Sequence, residues 1–583
     1  MPRTFVLTTL ALLALASPAG AVGEPIMALD QVTPGLRCTG LSVVRGVDVA
    51  SFDVEIVDVL AGDPAQSAPR LLIRVSGPAV QPGGLGPGFS GSPVVCPDGA
   101  GVARIAGAIS ESIGQYGNTL ALATPIESML GEDVDPPAGV RHAPGLLRTA
   151  RPIATPLSIG GLSPAVAAAV RRATTRSGRA FITAPAAPRA ASFAPQVLRP
   201  GSAMAVGLAS GAITAGAIGT VTYVDGDRVW GFGHPLDSVG RRSLLLQDAY
   251  VYAVVDNPLG VQEASTYKLA APGHDLGILT ADGINAVSGR LGVLPDRFDL
   301  VVDARDDDTG RLRQSTVSLA DETGVGLPTG ASSLSTVGPV AVAEAAYTAL
   351  GAAPARQSDR MCVRIEVRER KRPLRFCNSY VGIIGGAAEL AGAPLVSDFA
   401  EAVALVEAFD ARRLNIERVA VNVGLRRGLR SAVIVDARAP ARVRRGSTIS
   451  VRLSLRRSGG GRLARTIRVR IPRGAPLGER DLTLTGTPLD EPGAPADGAG
   501  FEGLQDALDL EPEIEATPPP PTIAALAQAV AALGRYDGVR VSFRRPGAGD
   551  AGEDSDQPRG RRAYRDPELR IGGSAGVAVR VVR

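Results

Sequence analysis

The chain has 583 residues, of which 45% are hydrophobic, 70 are glycine and 45 are proline. That length predicts two to four domains, and the abundant glycine and proline predict turns and linkers rather than long helices. The net charge of +4 is too small to indicate a nucleic-acid partner, so we expect none.

The N-terminus has the order of features that is typical of a secretory signal. Arg3 precedes an apolar run over residues 5–15, and residues 19–21 (Ala-Gly-Ala) match the small-residue pattern of a signal peptidase site. The run is too short to span a bilayer as a helix, so we expect residues 1–21 to be a cleaved signal peptide. No later stretch is long and apolar enough to span. We therefore predict a secreted or extracytoplasmic protein of the cell envelope with no membrane span after cleavage.

Four cysteines fall two and two into separate regions of the chain. In an oxidising compartment the simplest connectivity pairs Cys38 with Cys96 and Cys362 with Cys377. The second pair flanks a run that predicts a β-hairpin. A zinc site is disfavoured because the chain has no CxxC and no histidine near either pair. Free buried thiols are the other alternative.

Hydrophobic patterning predicts a mainly β protein with a few helices. The predicted segments are a signal peptide (1–21), a β-rich half (22–135), a Pro/Ala/Arg-rich linker with a weak helical patch (136–200), a second β-rich half (201–356), an α/β segment with the Cys-flanked hairpin and a helix capped by Ser397 (357–440), a β-rich segment (441–487), and an acidic, Pro-rich linker with a short helix capped by Thr522 and a disordered polar tail (488–583).

Within the predicted C-terminal strands, Arg468 and Arg470 alternate with apolar residues, which places arginines along one sheet face. A solvated face is the ordinary explanation, since exposed charges are common. The alternative is a docking surface for an anionic cell-envelope polymer or a protein partner. Basic residues are almost all arginine throughout, because lysine occurs only at positions 268 and 371.

Residues 88–93, Gly-Phe-Ser-Gly-Ser-Pro, have the composition of a nucleophile turn. A serine hydroxyl needs a base to take its proton and donors to hold the developing oxyanion. The glycines permit a tight turn that projects the hydroxyl of Ser90, and the amides of Gly88 and Ser90 would converge on one oxygen. The alternative is a Gly/Ser-rich β-turn without chemistry.

The chain offers three histidines as a general base. His142 lies in the predicted linker and His274 in a predicted loop. His234 lies in a Gly-rich turn, Gly-Phe-Gly-His-Pro, directly after a predicted strand, so its ring would be presented rather than buried. A lone histidine is more often structural, but His234 is the best candidate base. No metal-ligand cluster, phosphate loop or dinucleotide fingerprint appears, so we expect no metal and no cofactor.

Six segments between residues 34 and 300 carry a family resemblance. They are Gly-Phe-Ser-Gly-Ser-Pro-Val (88–94), Ile-Ala-Gly-Ala-Ile (105–109), Ala-Thr-Pro-Ile-Glu-Ser-Met-Leu (123–130), Gly-Thr-Val-Thr (219–222), Gly-His-Pro (233–235) and Tyr-Lys-Leu-Ala (267–270). Together they resemble the SpoIVB-type serine peptidases, in particular the larger exported bacterial members. The resemblance implies a secreted endopeptidase that hydrolyses protein substrates through an acyl-enzyme, with Ser90 as nucleophile and His234 as base. It also implies chymotrypsin-like β-barrel halves, here followed by a mixed α/β segment and a β-sandwich-like C-terminal region.

The sequence departs from the family in three ways. The serine precedes the histidine, position 89 is phenylalanine instead of methionine, and the stretch that matches the family's aspartate (74–76, Arg-Val-Ser) has no carboxylate. Asp63, Asp58 and Asp237 are the substitutes that the sequence offers. These departures leave a second hypothesis open, a non-catalytic envelope binding or scaffold protein that retains the peptidase fold.

Overall fold

A computed structural model describes residues 23–62, 69–113, 118–132, 150–153, 156–177, 181–185, 193–256, 266–327, 332–351, 356–383, 394–487, 519–534, 538–544, 561–566 and 568–583. Strands account for 54% and helices for 14%, which confirms the prediction of a mainly β protein. The predicted signal peptide, His142 and Asp63 lie outside the described residues.

The first sheet closes on itself as a barrel. Its strands are β1 (Arg37–Val43), β2 (Val49–Leu60), β3 (Arg70–Ser76), β4 (Pro93–Pro97), β5 (Ala103–Ile113), β6 (Leu120–Pro125) and β7 (Ala150–Pro152). They are ordered β4-β1-β2-β3-β6-β5-β7, and β4 also pairs with β5, so six strands form a closed ring with β7 outside it. Alternate residues point into an apolar interior, as the burial of Val54, Ile56, Leu71 and Ile73 shows. A 3-10 turn (Pro78–Val80) and the short helix α1 (Ile126–Leu130) flank the barrel.

The segment that we predicted as a linker is partly structured, and that prediction was wrong for its described residues. It contains β7, β8 (Leu157–Gly160), the helix α2 (Pro164–Ser177) and β9 (Phe181–Thr183). The weak helical patch is confirmed by α2. β7 pairs with β5, whereas β8 pairs with a later strand of the second sheet. The segment therefore joins both sheets instead of separating them.

The second sheet contains another closed ring. Its strands are β10 (Ala203–Gly211), β11 (Thr214–Asp225), β12 (Arg228–Gly231), β13 (Gly240–Val255), β14 (Tyr267–Asp282) and β15 (Val287–Leu291). They are ordered β10-β13-β14-β15-β12-β11, and β10 pairs back with β11. Two barrels of six strands thus follow one another in the described chain.

The second barrel continues into an open sheet that is covered by helices. This extension contains β16 (Arg297–Asp306), β17 (Leu312–Ala320), α3 (Ser333–Leu350), β18 (Arg356–Val367), β19 (Leu374–Ile383), α4 (Pro394–Glu407) and β20 (Ile416–Arg427). The predicted hairpin and helix are confirmed as β18–β19 and α4. However, α4 begins at Pro394, so Ser397 lies inside it and is not its cap.

The C-terminal strands form two sheets that share one apolar core. They are β21 (Ser431–Arg438), β22 (Arg442–Arg444), β23 (Thr448–Arg457), β24 (Arg462–Arg470), β25 (Gly478–Gly486), β26 (Gly538–Arg544), β27 (Arg561–Arg565), β28 (Arg570–Gly572) and β29 (Ser574–Val582). One sheet is ordered β24-β23-β21-β28 and the other β22-β29-β25-β26-β27. We predicted a disordered polar tail around residues 545–566, and that prediction is wrong for residues 561–566, which contain β27. The helix α5 (Ile523–Ala532) is capped by Thr522, as predicted.

Two disulfides join the pairs that we expected, Cys38–Cys96 and Cys362–Cys377. The first links β1 to β4, the strand that follows the serine turn, and the second is a cross-strand pair of the β18–β19 hairpin. In the described part of the chain, no helix combines the length and apolar character needed to cross a bilayer.

Each disulfide is expected to stabilise only the element that it closes. The Cys38–Cys96 bridge closes a loop of 58 residues, so its loss (Cys38→Ala with Cys96→Ala) should cost about 4 kcal/mol of local stability. The amides of β1 and β4 should then exchange hydrogen faster, while those of β18 and β19 keep the wild-type rate. Cys362→Ala with Cys377→Ala is the matched control and should show the converse. Uniformly faster exchange in both regions would contradict the assignment.

Candidate functional site

The turn that carries Ser90 lies between the two barrels, and its glycines are required there. Gly88 and Gly91 have φ values of +94° and +86°, a conformation that strains other residues. A Cβ on Gly91 would lie 2.0 Å from the carbonyl oxygen of Thr220 and 2.4 Å from the amide nitrogen of Phe232. Only glycine lets the two backbones approach this closely.

Hydrogen bonds hold the serine turn against the second barrel. The Thr220 amide donates to the carbonyl of Ser90 over 2.8 Å, and the Thr222 hydroxyl donates to the carbonyl of Gly91 over 2.7 Å. Both threonines lie on β11, in the Gly-Thr-Val-Thr segment that carried part of the family resemblance. The segment thus binds the serine turn rather than merely preceding the histidine.

The turn that carries His234 touches the same residues of the first barrel. Ile109 accepts the amide of Gly91, and its carbonyl oxygen lies 3.2 Å from the position of a Cβ on Gly233. The Thr124 hydroxyl donates to the carbonyl of Gly233 over 2.7 Å. The structure therefore brings the serine and histidine turns together, although 143 residues separate Gly91 from His234 in the chain.

The ring of His234 is held as one tautomer. Its Nδ1 lies 2.6 Å from the carbonyl oxygen of Pro235, which can only accept, so Nδ1 carries the proton and Nε2 has a free lone pair. Burial lowers the pKa of His234, opposed by the backbone carbonyls of Pro235 and Ile153 and by the carboxylates of Glu111 and Asp282. A neutral imidazole with an acceptor at Nε2 is the form that a general base requires.

The two functional atoms are close to the same backbone but are not bonded to each other. Ser90 is fully buried and His234 is 3% exposed, so the expectation that the glycine-rich turn presents the His234 ring rather than burying it was wrong. Within the described residues, neither Ser90 Oγ nor His234 Nε2 has a hydrogen-bonding partner. A buried polar atom without a partner costs about 1–3 kcal/mol, so two of them in adjoining turns require an explanation beyond folding.

The backbone amides proposed to bind an oxyanion are also available. Among the described residues, the amides of Gly88 and Ser90 donate to no backbone or side-chain acceptor. Their neighbours are engaged: the Phe89 amide donates to Gly86 and the Gly91 amide to Ile109. The two amides that an oxyanion would need are thus the two that the turn leaves unused.

The structure gives the candidate carboxylates other partners. Asp237 forms an ion pair with Arg242, at 2.8 Å, and does not hydrogen-bond the ring of His234. Asp58 accepts the amide of Val59 next to it. The position that an orienting aspartate would occupy beside Nδ1 is taken by the carbonyl of Pro235.

Two carboxylates that sequence reasoning missed lie nearer to the histidine turn. Asp282 is buried and accepts the amides of Leu236, Asp237 and Val239, which holds the loop that follows His234. Glu111 forms a buried ion pair with Arg70 at 2.8 Å. The sequence does mark Asp282, because the dipeptide Asp282-Gly283 ends a run with the pattern of a strand. Nothing in the sequence, however, indicates that this dipeptide lies near residue 234.

Lys268 lies beneath the serine turn with its side chain fully enclosed. Its ammonium donates to the hydroxyls of Ser42 (2.7 Å) and Thr220 (3.3 Å) and lies 4.5 Å from the ring centre of Phe89. Burial lowers the pKa of Lys268 to about 7. Lysine is almost never fully buried without an anionic partner, and none of these partners is charged.

The other described histidine has a structural role. His274 lies in the strand β14 rather than in the loop that we predicted, and its Nδ1 contacts Asp248 at 3.1 Å. Asp248 also accepts the amides of His274 and Gln196. Among the described residues no cluster of three or more potential metal ligands occurs.

The enclosed lysine predicts an unusual dependence of stability on pH. Between its pKa of about 7 in the folded protein and the ordinary 10.5, the unfolded chain binds the proton and the folded protein does not. Wild-type stability should therefore rise with pH over this interval relative to Lys268→Met, by up to about 1.4 kcal/mol per pH unit, and the difference should be constant below pH 7. The single tryptophan, Trp230 in β12, reports unfolding of this barrel by fluorescence.

Lys371→Met is the control, because Lys371 is exposed and is the only other lysine. Its stability should follow the wild-type pH dependence. A constant difference between the wild type and Lys268→Met from pH 6 to pH 10 would contradict the enclosed state of Lys268.

Comparison with known proteins does not assign the chain to a family. No family model matches the chain, and neither the curated proteins nor the solved structures include one that is significantly similar to it. The resemblance to SpoIVB-type peptidases therefore rests on the sequence motifs alone.

Proposed function

We propose that this protein is an exported serine endopeptidase of the SpoIVB type, with a chymotrypsin-like pair of barrels and Ser90 and His234 as its catalytic residues. The observation that carries the proposal is the junction of the two turns. There a hydroxyl, an imidazole nitrogen and two amides, all without a hydrogen-bonding partner in the described chain, come from motifs that the resemblance had selected. The predicted signal peptide and the two disulfides support action outside the cytoplasm.

In this mechanism Ser90 Oγ attacks the carbonyl carbon of a peptide substrate while His234 Nε2 takes the hydroxyl proton. The amides of Gly88 and Ser90 hold the oxyanion. The imidazolium then gives its proton to the leaving amine, and water hydrolyses the acyl-enzyme by the reverse steps. The Pro235 carbonyl orients the ring, and the negative charges of Glu111 and Asp282 stabilise the imidazolium.

Both catalytic groups are enclosed, so the structure corresponds to a closed state of such an enzyme. Substrate entry requires the groups that cover Ser90 to move, and the hydroxyl and the imidazole must turn toward each other. This enclosure is also the observation that favours the second hypothesis. A binding or scaffold protein would keep the two turns as a packing joint between barrels and would never open them.

Labelling by a fluorophosphonate probe separates the two functions. We expect the full-length wild-type protein to be phosphonylated at Ser90, and His234→Ala to react at least 100-fold more slowly because no base takes the proton. Ser92→Ala is not a suitable control, since Ser92 bonds the turn. Ser90→Ala should not react at all, and Ser112→Ala, on a nearby strand, should react like the wild type.

Mass spectrometry of the labelled peptide identifies the modified residue. Equal labelling of the wild type and Ser90→Ala would eliminate Ser90 as the nucleophile. No labelling of a folded wild type, verified by Trp230 fluorescence, would favour the binding or scaffold protein.

We further propose that the C-terminal sheet binds an anionic polymer of the cell envelope. The outer face of β23 and β24 exposes five arginines, which we call the arginine face: Arg452, Arg456, Arg462, Arg468 and Arg470. Their apolar neighbours Ile467 and Val469 point into the core, as predicted. No ion pair among the described residues involves any of the five arginines. A row of unpaired cations is complementary to a polyanion rather than to a neutral surface.

The arginine face is expected to bind polyphosphate in a salt-dependent manner. Replacing Arg452, Arg468 and Arg470 with glutamine should weaken binding to immobilised polyphosphate and lower the salt concentration needed for elution. The matched control replaces three exposed arginines elsewhere, Arg313, Arg372 and Arg418, and removes the same net charge. Equal weakening in both triple variants would show a general effect of charge and contradict a defined face.

A further inference from the structure

The serine turn depends on Lys268 through both its backbone and its side chain. The Lys268 amide donates to the carbonyl of Pro87 over 2.9 Å. Its methylene groups pass so close to Gly88 that a Cβ there would lie 2.9–3.1 Å from three of them. Gly88 is therefore required by the lysine stem as well as by its own positive φ.

A network of hydrogen bonds connects the ammonium with the carbonyl of Phe89. The Ser92 hydroxyl donates to that carbonyl over 2.6 Å and also faces Ser42 Oγ as a donor, at 2.9 Å. Ser42 Oγ is also 3.2 Å from the Thr220 hydroxyl, so its own proton has an acceptor on β11. Ser42 in turn accepts from Lys268 Nζ over 2.7 Å.

A second branch leads to the neighbouring carbonyl. Lys268 Nζ donates to the Thr220 hydroxyl over 3.3 Å, and Thr220 donates to the carbonyl of Gly88 over 3.0 Å. The third side of the ammonium faces the ring of Phe89. Each contact of Nζ thus ends on the serine turn.

Two of the carbonyls held in this way, those of Phe89 and Pro87, belong to the peptide units whose amides would bind the oxyanion. A peptide unit is planar, so fixing its C=O fixes the direction of its N–H. The carbonyl of Phe89 shares its unit with the Ser90 amide, and the carbonyl of Pro87 shares its unit with the Gly88 amide. Lys268 therefore controls one of the two free amides through its ammonium and the other through its backbone.

We propose that Lys268 is a positioning residue that orients the amides of Gly88 and Ser90 for oxyanion binding. This inference rests on the proposed peptidase function and adds to it a residue that touches neither substrate nor the catalytic histidine. The side chains that face Nζ come from β1, the serine turn and β11, namely Ser42, Phe89 and Thr220, and none of them titrates near neutrality.

The burial of a cation at this point supports a role for the charge itself. A methionine of similar length would fill the same space without the desolvation cost, so packing alone does not account for lysine. The ammonium donates to Ser42 Oγ, the second acceptor that faces the Ser92 hydroxyl, so it leaves the proton of Ser92 to the Phe89 carbonyl and strengthens the bond that fixes the Ser90 amide. The positive charge also favours a negative oxygen on the far side of the turn.

The test compares second-order rates of fluorophosphonate labelling of Ser90 in the full-length protein. We expect Lys268→Met to slow labelling about 10- to 1000-fold, on the scale of a lost oxyanion donor. Lys371→Met should keep the wild-type rate. Ser92→Ala breaks the last link while keeping the lysine, so it should also slow labelling and serves as the second variant should Lys268→Met not fold.

The pH profile supplies a readout that a purely structural role would not change. The wild-type rate should decline above pH 7, as Lys268 loses its proton, while the smaller rate of a folded Lys268→Met shows no such decline. His234 is neutral across this range because burial lowers its pKa.

The outcomes separate this inference from the proposed function. If the wild type labels no faster than Ser90→Ala, the peptidase function fails and the positioning role fails with it. If the wild type labels at Ser90 and the folded Lys268→Met and Ser92→Ala variants label equally fast, only the positioning role is overturned.

Discussion

The candidate site depends on the close backbone approach between Gly91 and β11. The Thr220 amide bonds the Ser90 carbonyl, and no side chain fits between Gly91 and the strand. This contact fixes the serine turn relative to the second barrel, and through Phe232 it also fixes where the histidine turn begins. Any residue larger than glycine at position 91 would clash with the backbone of Thr220 and Phe232 and force the serine turn away from β11.

The barrels explain why the order of the motifs along the chain does not prevent a site from forming. Each functional group lies in a short turn next to a closed ring of strands, Ser90 before β4 and His234 after β12. Each ring of strands closes without a strand from the other barrel. Either barrel can therefore come first in the chain. Only the surface where the rings meet must be conserved in geometry.

Local sequence patterns predicted the features of the fold that depend on neighbouring residues. Alternating apolar residues indicated the strands, the cysteine spacing indicated the disulfides, and glycine-rich motifs indicated the two turns. What the sequence could not show was the environment of Lys268 and Asp282, because the side-chain partners of Lys268 and the backbone partners of Asp282 lie 43 or more residues away in the chain. The segments predicted as linker and tail failed for a related reason. Short strands such as β7 and β27 are stabilised by pairing with other strands rather than by their own composition.

The position of the Cys362–Cys377 disulfide in the hairpin β18–β19 determines what happens when the backbone is cleaved at the hairpin tip. The exposed Lys371 is at the tip, within the loop of 15 residues that the Cys362–Cys377 disulfide closes. A cut in the backbone after this lysine would leave two polypeptides covalently joined and both strands paired along their whole length. The tip can therefore be severed without releasing either part, and the nick becomes visible as two separate chains only after reduction.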